Sequence, residues 1–502
     1  MKTINFFKTC LSLYIFMMGC FVSSANNIVL SNISLTGLNV IDHYTMVRFD
    51  ISWENSWRSS SSPNNWDAAW VFVKYRVAAG DWNHAWLNND GHINPAGSTV
   101  ATGLLKPDSA FDPMINPGLG VFIYRDADGT GTFSINSVQL RWNHGANGVN
   151  DNEIIDIRVF AIELVYVPQG NFYAGSGGTE TSAFYKFPAT TDPYQLTSED
   201  EINVGPATDH LYYNSSTYGG DQLGPVPAAF PKGYNAFYCM KYEISQQGYV
   251  DFLNSLTQSH ANKRKYNGTG HRYAITGNTA GSYTTVNPCV ACNNLNWADL
   301  TAYFDWSGLR PLTELEFEKA CRGPIAPVPD EYAWGTTGIA ISSYTLINSG
   351  SDNENIASNY SNANGNAAFN LTTPHNGSIN GPVRVGIFAG NGSNTGRVTA
   401  GATYYGIMEM SGNLLEHFVT VGNPAGRAFT GMHGNGALNA SGNADVTNWP
   451  GISSLGAGFR GGYWYYYAWY LRISERSGAA GTDATRYDSD GGRGGRSAPR
   501  SE

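Results

Sequence analysis

Apolar and polar residues alternate along the first third of the chain, in short runs separated by Gly, Asn, Asp and Pro. The segments YTMVRFDISW (44–53) and IIDIRVFAIELVYV (154–167) are two examples. Such alternation is typical of strands with one buried face. Roughly seven strands of this kind, divided by turn residues, predict an all-β sandwich domain over residues 27–165.

The pattern changes near Pro168, where three segments with helical periodicity follow. Ser245 is a candidate N-cap for the first helix, and Gly308 ends the second. Thr313 and Glu316 have the spacing of a capping box at the start of the third. The rest of this half is rich in Gly, Asn, Ser and aromatic residues, so long loops should dominate it.

Composition places the protein outside the cytoplasm. Charged residues make up only 14% of the chain, the net charge is −10, and there are 58 Gly and 30 Tyr. An acidic chain of this kind is not expected to bind nucleic acid. Residues 1–25 have the charged start, apolar stretch and small residues of an export signal.

Two ways of processing this signal remain open. Cleavage after Ala25 would give a secreted protein, whereas cleavage before Cys20 would leave a lipid anchor at the cell surface, as in an outer-membrane lipoprotein. No later stretch has the roughly 18 apolar residues of a membrane span, so any membrane attachment would be through Cys20.

Four cysteines follow the signal: Cys239, Cys289, Cys292 and Cys321. A disulfide would suit an oxidising compartment. Cys289 and Cys292 have zinc-knuckle spacing without the second ligand pair, and buried free thiols are a third interpretation.

Several motifs in the second half occur in a fixed order. They are VPQGNFYAGSG (167–177), FYCMKYEISQQGYVDFL (237–253), RPLTELEFEKACRG (310–323), YYGIMEMSGNLLEHF (404–418) and GFRGGYW (458–464). Together they resemble the formylglycine-generating enzyme (sulfatase-modifying factor) family over residues 166–502. The resemblance implies an α+β domain of C-type-lectin-like fold with little regular structure.

The residues of the family's oxidase site are absent from this sequence. The resemblance places Tyr466 and Leu471 where oxidase members have two copper-binding cysteines, and no cysteine follows Cys321. Neither side chain can hold Cu(I), so no copper and no catalytic residue are expected. The related sulfoxide-synthase branch is not favoured either, because the N-terminal region shows no histidine cluster for iron.

The resemblance also implies a structural calcium site in the segment EMSGNLLE (409–416). Its ligands would be the side chains of Glu409 and Glu416 and the backbone carbonyls of Gly412 and Leu414. Glu409 departs from the usual Asp or Asn. The alternative is that Glu416 caps the loop without a metal ion.

The tail, residues 460–496, interleaves two classes of position. We interpret one class as framework: Arg460, Gly461, Gly462, Trp464, Ala468, Leu471, Arg472, Ile473, Ser474, Arg476, Ala479, Ala480 and Arg486. The candidate variable positions hold residues reachable from an AAC codon by changing adenines: Tyr463, Tyr465, Tyr466, Tyr467, Tyr470, Ser477, Gly478, Gly481, Asp483, Thr485, Tyr487, Asp488, Ser489 and Asp490. Trp469 and Glu475 do not fit this origin.

This interleaving resembles the variable region of proteins diversified by diversity-generating retroelements. Tyr, Ser, Gly and Asp also dominate antibody binding loops. The sequence therefore predicts a binding surface, although ordinary core packing of the aromatic run is an alternative. Its expected members are Tyr463, Tyr465, Tyr466, Tyr467, Trp469, Tyr470, Asp483, Tyr487, Asp488 and Asp490.

The function predicted from these features is that of an exported, catalytically silent protein that binds a protein or glycan at a cell or phage surface. One alternative is a formylglycine-generating oxidase-like enzyme that acts on a sulfatase or another substrate. A further alternative is a structural component of a surface, gliding or secretion machine.

Overall fold

The computed structural model describes residues 28–103, 118–214, 218–370 and 379–499. The predicted export signal, with Cys20, lies outside the described residues. No helix within the described residues is long and apolar enough to cross a membrane.

The described residues of the N-terminal region form eight strands. They are Val29–Asn39 (β1), Tyr44–Arg58 (β2), Asp67–Val77 (β3), Asn83–His84 (β4), Ser98–Thr102 (β5), Val121–Arg125 (β6), Gly129–Trp142 (β7) and Ile155–Val167 (β8). β1, β2 and β7 form one antiparallel sheet. It packs against the sheet that contains β3, β6 and β8, and Phe49, Val71, Ile123 and Leu140 lie in the core between them. The predicted β-rich N-terminal region is thus confirmed.

In the second half, the described residues form short strands and five helices. The strands are Phe172–Ala174 (β9), Phe184–Lys186 (β10), Tyr194–Leu196 (β11), Leu211–Tyr213 (β12), Phe237–Met240 (β13), Ile275–Thr276 (β14), Thr284–Thr285 (β15), Thr345–Ile347 (β16), Asn355–Ser358 (β17), Leu415–Val419 (β18), Ala457–Arg460 (β19), Asp490–Gly491 (β20) and Gly495–Ser497 (β21). The helices are Gln246–Leu253 (α1), Gln258–Arg264 (α2), Trp297–Ser307 (α3), Glu314–Arg322 (α4) and Pro424–Arg427 (α5). A 3-10 segment, Ala468–Leu471, lies in the tail.

The helix ends follow the local signals in the sequence. The Ser245 side chain accepts from Gly248 N and caps α1. Gly308, with φ at +72°, ends α3 in the left-handed conformation. Thr313 and Glu316 form both hydrogen bonds of the capping box on α4. These three predictions are confirmed, and α2 is an additional helix.

The largest sheet runs through both halves of the chain. Its strand order is β21-β13-β8-β3-β6-β5, so β8 pairs with β3 on one side and with β13 on the other. The face of β3 turned away from the sandwich packs against α3, where the rings of Phe72 and Trp306 meet edge to face at 5.0 Å. The predicted boundary at residues 165/166 falls inside β8, and the division into two domains stays a prediction.

A smaller sheet positions the tail. β18 lies between β19, which is antiparallel to it, and β20, which is parallel. The tail therefore leaves this sheet at the end of β19 and returns to it at β20.

Candidate ligand-binding surface

The tail after β19 is a loop and not a strand. Gly461 and Gly462 have φ angles of +89° and +69°, a left-handed conformation that ends the extended backbone. Gly412 N donates to the Gly461 carbonyl at 2.8 Å, and Trp464 N donates to the Asn413 carbonyl at 3.0 Å. The chain is therefore fastened to a neighbouring loop just as the aromatic run begins.

Six aromatic side chains of this loop are termed the aromatic surface: Tyr463, Tyr465, Tyr466, Tyr467, Trp469 and Tyr470. The ring centroid of Tyr466 lies 4.3 Å from those of Tyr463 and Tyr470, and Trp469 stacks on Tyr470 at 3.5 Å. Tyr465, Tyr467 and Trp469 are 42%, 52% and 41% exposed. Tyr463, Tyr466 and Tyr470 are half-buried, so the exposed rings sit beside a packed tyrosine cluster.

A histidine from outside the tail supports this surface. Buried Trp464 stacks on His271 with 5.1 Å between the ring centroids. His271 Nε2 lies 2.9 Å from Asp488 Oδ2, and Asn293 Nδ2 donates to the carbonyls of both residues. The sequence did not point to His271, because its partner lies more than 200 residues further along and no local motif marks it.

Asp483, which is half-buried, and Tyr487, which is exposed, form a second part of the tail. The Tyr487 hydroxyl donates to Asp483 Oδ2 at 2.9 Å, and Thr485 N donates to Asp483 Oδ1 at 2.8 Å. Tyr487 is 44% exposed. This turn thus presents a ring, a carboxylate and a hydroxyl to solvent within five residues.

Asp490 is not on this surface, although the sequence grouped it with the binding residues. Its side chain is buried in β20, where Oδ1 accepts from the Ser489 hydroxyl at 2.6 Å. Burial raises the pKa of Asp490 to about 7 and lowers the pKa of the nearby His417 to about 3. Both are therefore neutral near pH 6, and their 3.9 Å separation is not an ion pair.

Burial in the tail follows the interleaving of the sequence. Nine of the thirteen framework positions are buried and none is exposed. Of the fourteen candidate variable positions, only Ser489 and Asp490 are buried. Of the two residues with an incompatible codon origin, Glu475 is buried and accepts from Thr181 N, whereas Trp469 is exposed.

In the predicted calcium loop, Glu416 is paired with an arginine side chain. The Arg493 guanidinium donates to both oxygens of Glu416, at 2.6 and 2.8 Å, and all of these atoms are buried. Glu409 accepts from Gly386 N at 2.9 Å, and its other oxygen is buried without a hydrogen bond. As placed, Glu416 has no free oxygen for a metal ion.

The two backbone ligands of the calcium prediction, Gly412 and Leu414, lie in this same buried loop. Leu414 N donates to the buried carboxylate of Glu243 at 3.0 Å. Calcium would have to displace Arg493 from Glu416 in order to bind there. The residues therefore do not fit the ion in this arrangement, and calcium binding stays a prediction.

The two positions aligned with the oxidase cysteines have different surroundings. Leu471 is fully buried, and its carbonyl accepts from the Ser411 hydroxyl at 2.7 Å. Tyr466 packs within the aromatic surface. Neither supplies a thiolate.

The four cysteines in the described residues are buried thiols. Burial raises the pKa of the Cys239 thiol to about 12, and it raises the pKa values of Cys292 and Cys321 well above the usual range. Buried thiols of this kind are inert, because the thiolate is the reactive form.

Comparison with known proteins assigns the family. Residues 161–487, more than half of the chain, match the sulfatase-modifying factor enzyme 1-like domain (FGE-sulfatase). Together with the α+β architecture, the match shows that the chain belongs to this family. The resemblance found in the sequence motifs is thereby confirmed.

Individual relatives are distant. No curated protein sequence matches significantly. Among solved structures, Treponema denticola variable protein 1 is 14% identical, in an alignment that covers 67% of this chain and 96% of that one. The TM-score is 0.29, which is too low to establish a common fold.

Proposed function

We propose that this chain is an exported, non-catalytic member of the family that binds a protein or glycan ligand at a cell or phage surface. The aromatic surface would make the main contact, with Asp483, Tyr487 and Asp488 beside it. The N-terminal sandwich would act as a spacer or docking element.

One observation carries this proposal: twelve of the fourteen candidate variable positions are at least partly accessible, whereas nine of the thirteen framework positions are buried. A tail that served only as core would bury its large aromatic side chains, because exposed rings add little to stability. Here Tyr465, Tyr467 and Trp469 remain more than 40% exposed. Tyr and Trp are also the side chains that most often dominate binding energy.

The same pattern supports diversification by a retroelement. A segment that varies between copies of a gene must keep its fold, so changes should be confined to accessible positions. Gly478 and Ser477, for example, are half-buried and lie between buried Arg476 and Ala479. We expect a reverse transcriptase gene nearby, together with an adenine-rich near-copy of the last codons. A locus with an adjacent sulfatase and neither of these would instead favour the formylglycine-generating alternative.

The binding surface can be tested with the double variant Tyr465→Ser/Tyr467→Ser. Wild-type protein is first screened against an array of immobilised glycans and a panel of displayed extracellular proteins, and the affinity for the captured ligand is then compared. Loss of the two exposed rings should weaken binding by about 2 kcal/mol or more, roughly 30-fold. The free energy of unfolding should change by only about 0.5 kcal/mol for each substitution.

The matched control is Tyr218→Ser, which removes a tyrosine that is 59% exposed and lies outside the aromatic surface. It should leave both affinity and stability unchanged. A double variant that binds as tightly as the wild type would refute the proposal. A double variant that fails to fold would show that these two rings are needed for the fold.

A further inference from the structure

Two histidines and one aspartate meet at one end of the sandwich. His43 immediately precedes β2, His144 follows β7, and Asp151 lies in the segment that leads to β8. One potential metal-ligand atom from each residue lies within 4.8 Å of those of the other two. The sequence did not reveal this group of residues, because 108 residues separate His43 from Asp151.

The distances suit a single metal ion. His43 Nδ1 lies 3.1 and 3.0 Å from the two Asp151 oxygens, and His144 Nε2 lies 2.9 Å from Oδ1. Neighbouring ligands at about 2.1 Å from one ion are about 3.0 Å apart in an octahedron and about 3.4 Å apart in a tetrahedron. The His43–Asp151 and His144–Asp151 contacts would therefore need to lengthen by only a few tenths of an ångström to admit an ion.

The backbone holds His43 in position. Its φ of +51° is a left-handed conformation that few non-glycine residues adopt. Gly145 N donates to the His43 carbonyl at 2.9 Å. A Cβ atom at Gly145 would lie 2.4 Å from the His43 Cβ, so only glycine permits this approach of the two turns.

The cluster is closed on one side and open on the other. The side chain of His144 is 4% exposed, that of Asp151 is 26% exposed and that of His43 is 57% exposed. Nδ1 of His144 is buried without a hydrogen-bond partner. An ion bound here would have the buried His144 on its protein side and a coordination position on its solvent side.

We propose that His43, His144 and Asp151 bind a divalent first-row transition-metal ion, such as zinc. Two imidazole nitrogens and one carboxylate form a donor set that such ions prefer. The ion joins the β1–β2 turn to the β7–β8 loop, and its remaining position takes water or a group from a partner. Without a metal ion, the same residues would form only a hydrogen-bonded His-Asp-His cluster.

Metal titration of the tag-free, chelator-stripped full chain distinguishes these two cases. Calorimetry with Zn²⁺ should give one bound ion that is lost or weakened at least about tenfold in His43→Ala and Asp151→Asn. Co²⁺ should give a visible absorption band whose intensity reports four or six ligands. His210→Ala, outside the cluster, should bind like the wild type.

His43 is largely exposed, so its replacement should leave the fold intact, and circular dichroism can verify this. Zinc should also raise the melting temperature of the wild type but not that of His43→Ala, since an ion that binds only the folded state stabilises it. A folded His43→Ala protein that binds zinc as the wild type does would overturn the proposal. So would a wild type that binds no zinc.

Discussion

Burial gives Asp490 an effect on stability that its neighbours in the tail do not share. In the folded protein its pKa is about 7, whereas an unfolded aspartate titrates near 3.9. Between these values the folded state keeps a proton that the unfolded state has released. The contribution of Asp490 to the free energy of unfolding should therefore fall as the pH rises from about 4 to about 7, by about 1.4 kcal/mol per pH unit, and remain level above pH 7.

Asp490→Asn should remove this contribution, because the amide does not titrate. Relative to the wild type, the variant should gain stability between pH 4 and pH 7, by at most roughly 4 kcal/mol. Urea unfolding at pH 4.5, 6 and 8 measures the difference. Asp90→Asn, at a side chain that is 84% exposed, is the control and should follow the wild-type curve. An Asp490→Asn curve parallel to the wild type would mean that Asp490 is ionised in the folded protein.

The turn at the end of β19 should tolerate change much less well than the tail that follows it. Gly462 has a φ of +69°, and an added Cβ would lie 2.6 Å from a methyl of Leu471. Gly478 has no such constraint, since the nearest atom to its added Cβ would be Phe459 Cβ at 3.5 Å. One glycine is a framework position and the other a candidate variable position, so they form a matched pair.

We expect Gly462→Ala to lower the free energy of unfolding by about 1–3 kcal/mol through strain and overlap. Gly478→Ala should change it by only about 0.5 kcal/mol. Chemical denaturation of both variants provides the measurement. An equal loss of unfolding free energy in the two variants would argue that the division into framework and variable positions has no structural basis.

Elements with local signals could be predicted from the sequence. The Ser245 cap, the Gly308 stop and the Thr313 capping box each depend on residues within a few positions of one another. The accessible part of the tail was also predictable, because its two residue classes alternate locally. Asp490 could not be placed in this way, since its burial depends on the parallel pairing of β20 with β18.

Contacts between distant segments likewise could not be predicted from the sequence. His271 contacts Asp488, and His43 contacts Asp151. In both pairs the residues lie far apart in the sequence, and no periodic pattern connects them. Arg493 also pairs with Glu416 from 77 residues away. Family resemblance placed Glu416 in a calcium site, but only the three-dimensional structure places a guanidinium against it.

At the scale of the whole molecule, β3 joins the two halves because both of its faces are buried. Val71 and Val73 face the sandwich core, whereas Trp70 and Phe72 face the helices of the family domain. Trp70 Nε1 donates to the Ser307 carbonyl at 2.8 Å. A strand that is covered on both faces cannot be separated from either partner without exposing apolar surface.

The C-terminal end reinforces this junction. Arg496 is buried, lies over the Trp70 ring at 4.3 Å and donates to the Gly103 carbonyl at 2.6 Å. β21 thus contacts Trp70 and Gly103 of the N-terminal region. Such an interface is unlike the polar, separable contacts that usually join independent domains.

The full chain should therefore unfold in a single transition, with tryptophan fluorescence and far-UV circular dichroism giving the same midpoint. Trp70→Ala should lower that midpoint for both probes, at a cost of about 3–5 kcal/mol, because it opens a cavity in the shared core. Tyr218→Ser, an exposed aromatic position, is the control and should leave it unchanged. A fragment that begins at residue 155 would keep β8 but lose β3, so it should be aggregated or lack a cooperative transition. If the chain instead unfolds in two steps and Trp70→Ala shifts only one of them, the sandwich and the family domain are independent units and the continuous sheet does not couple them.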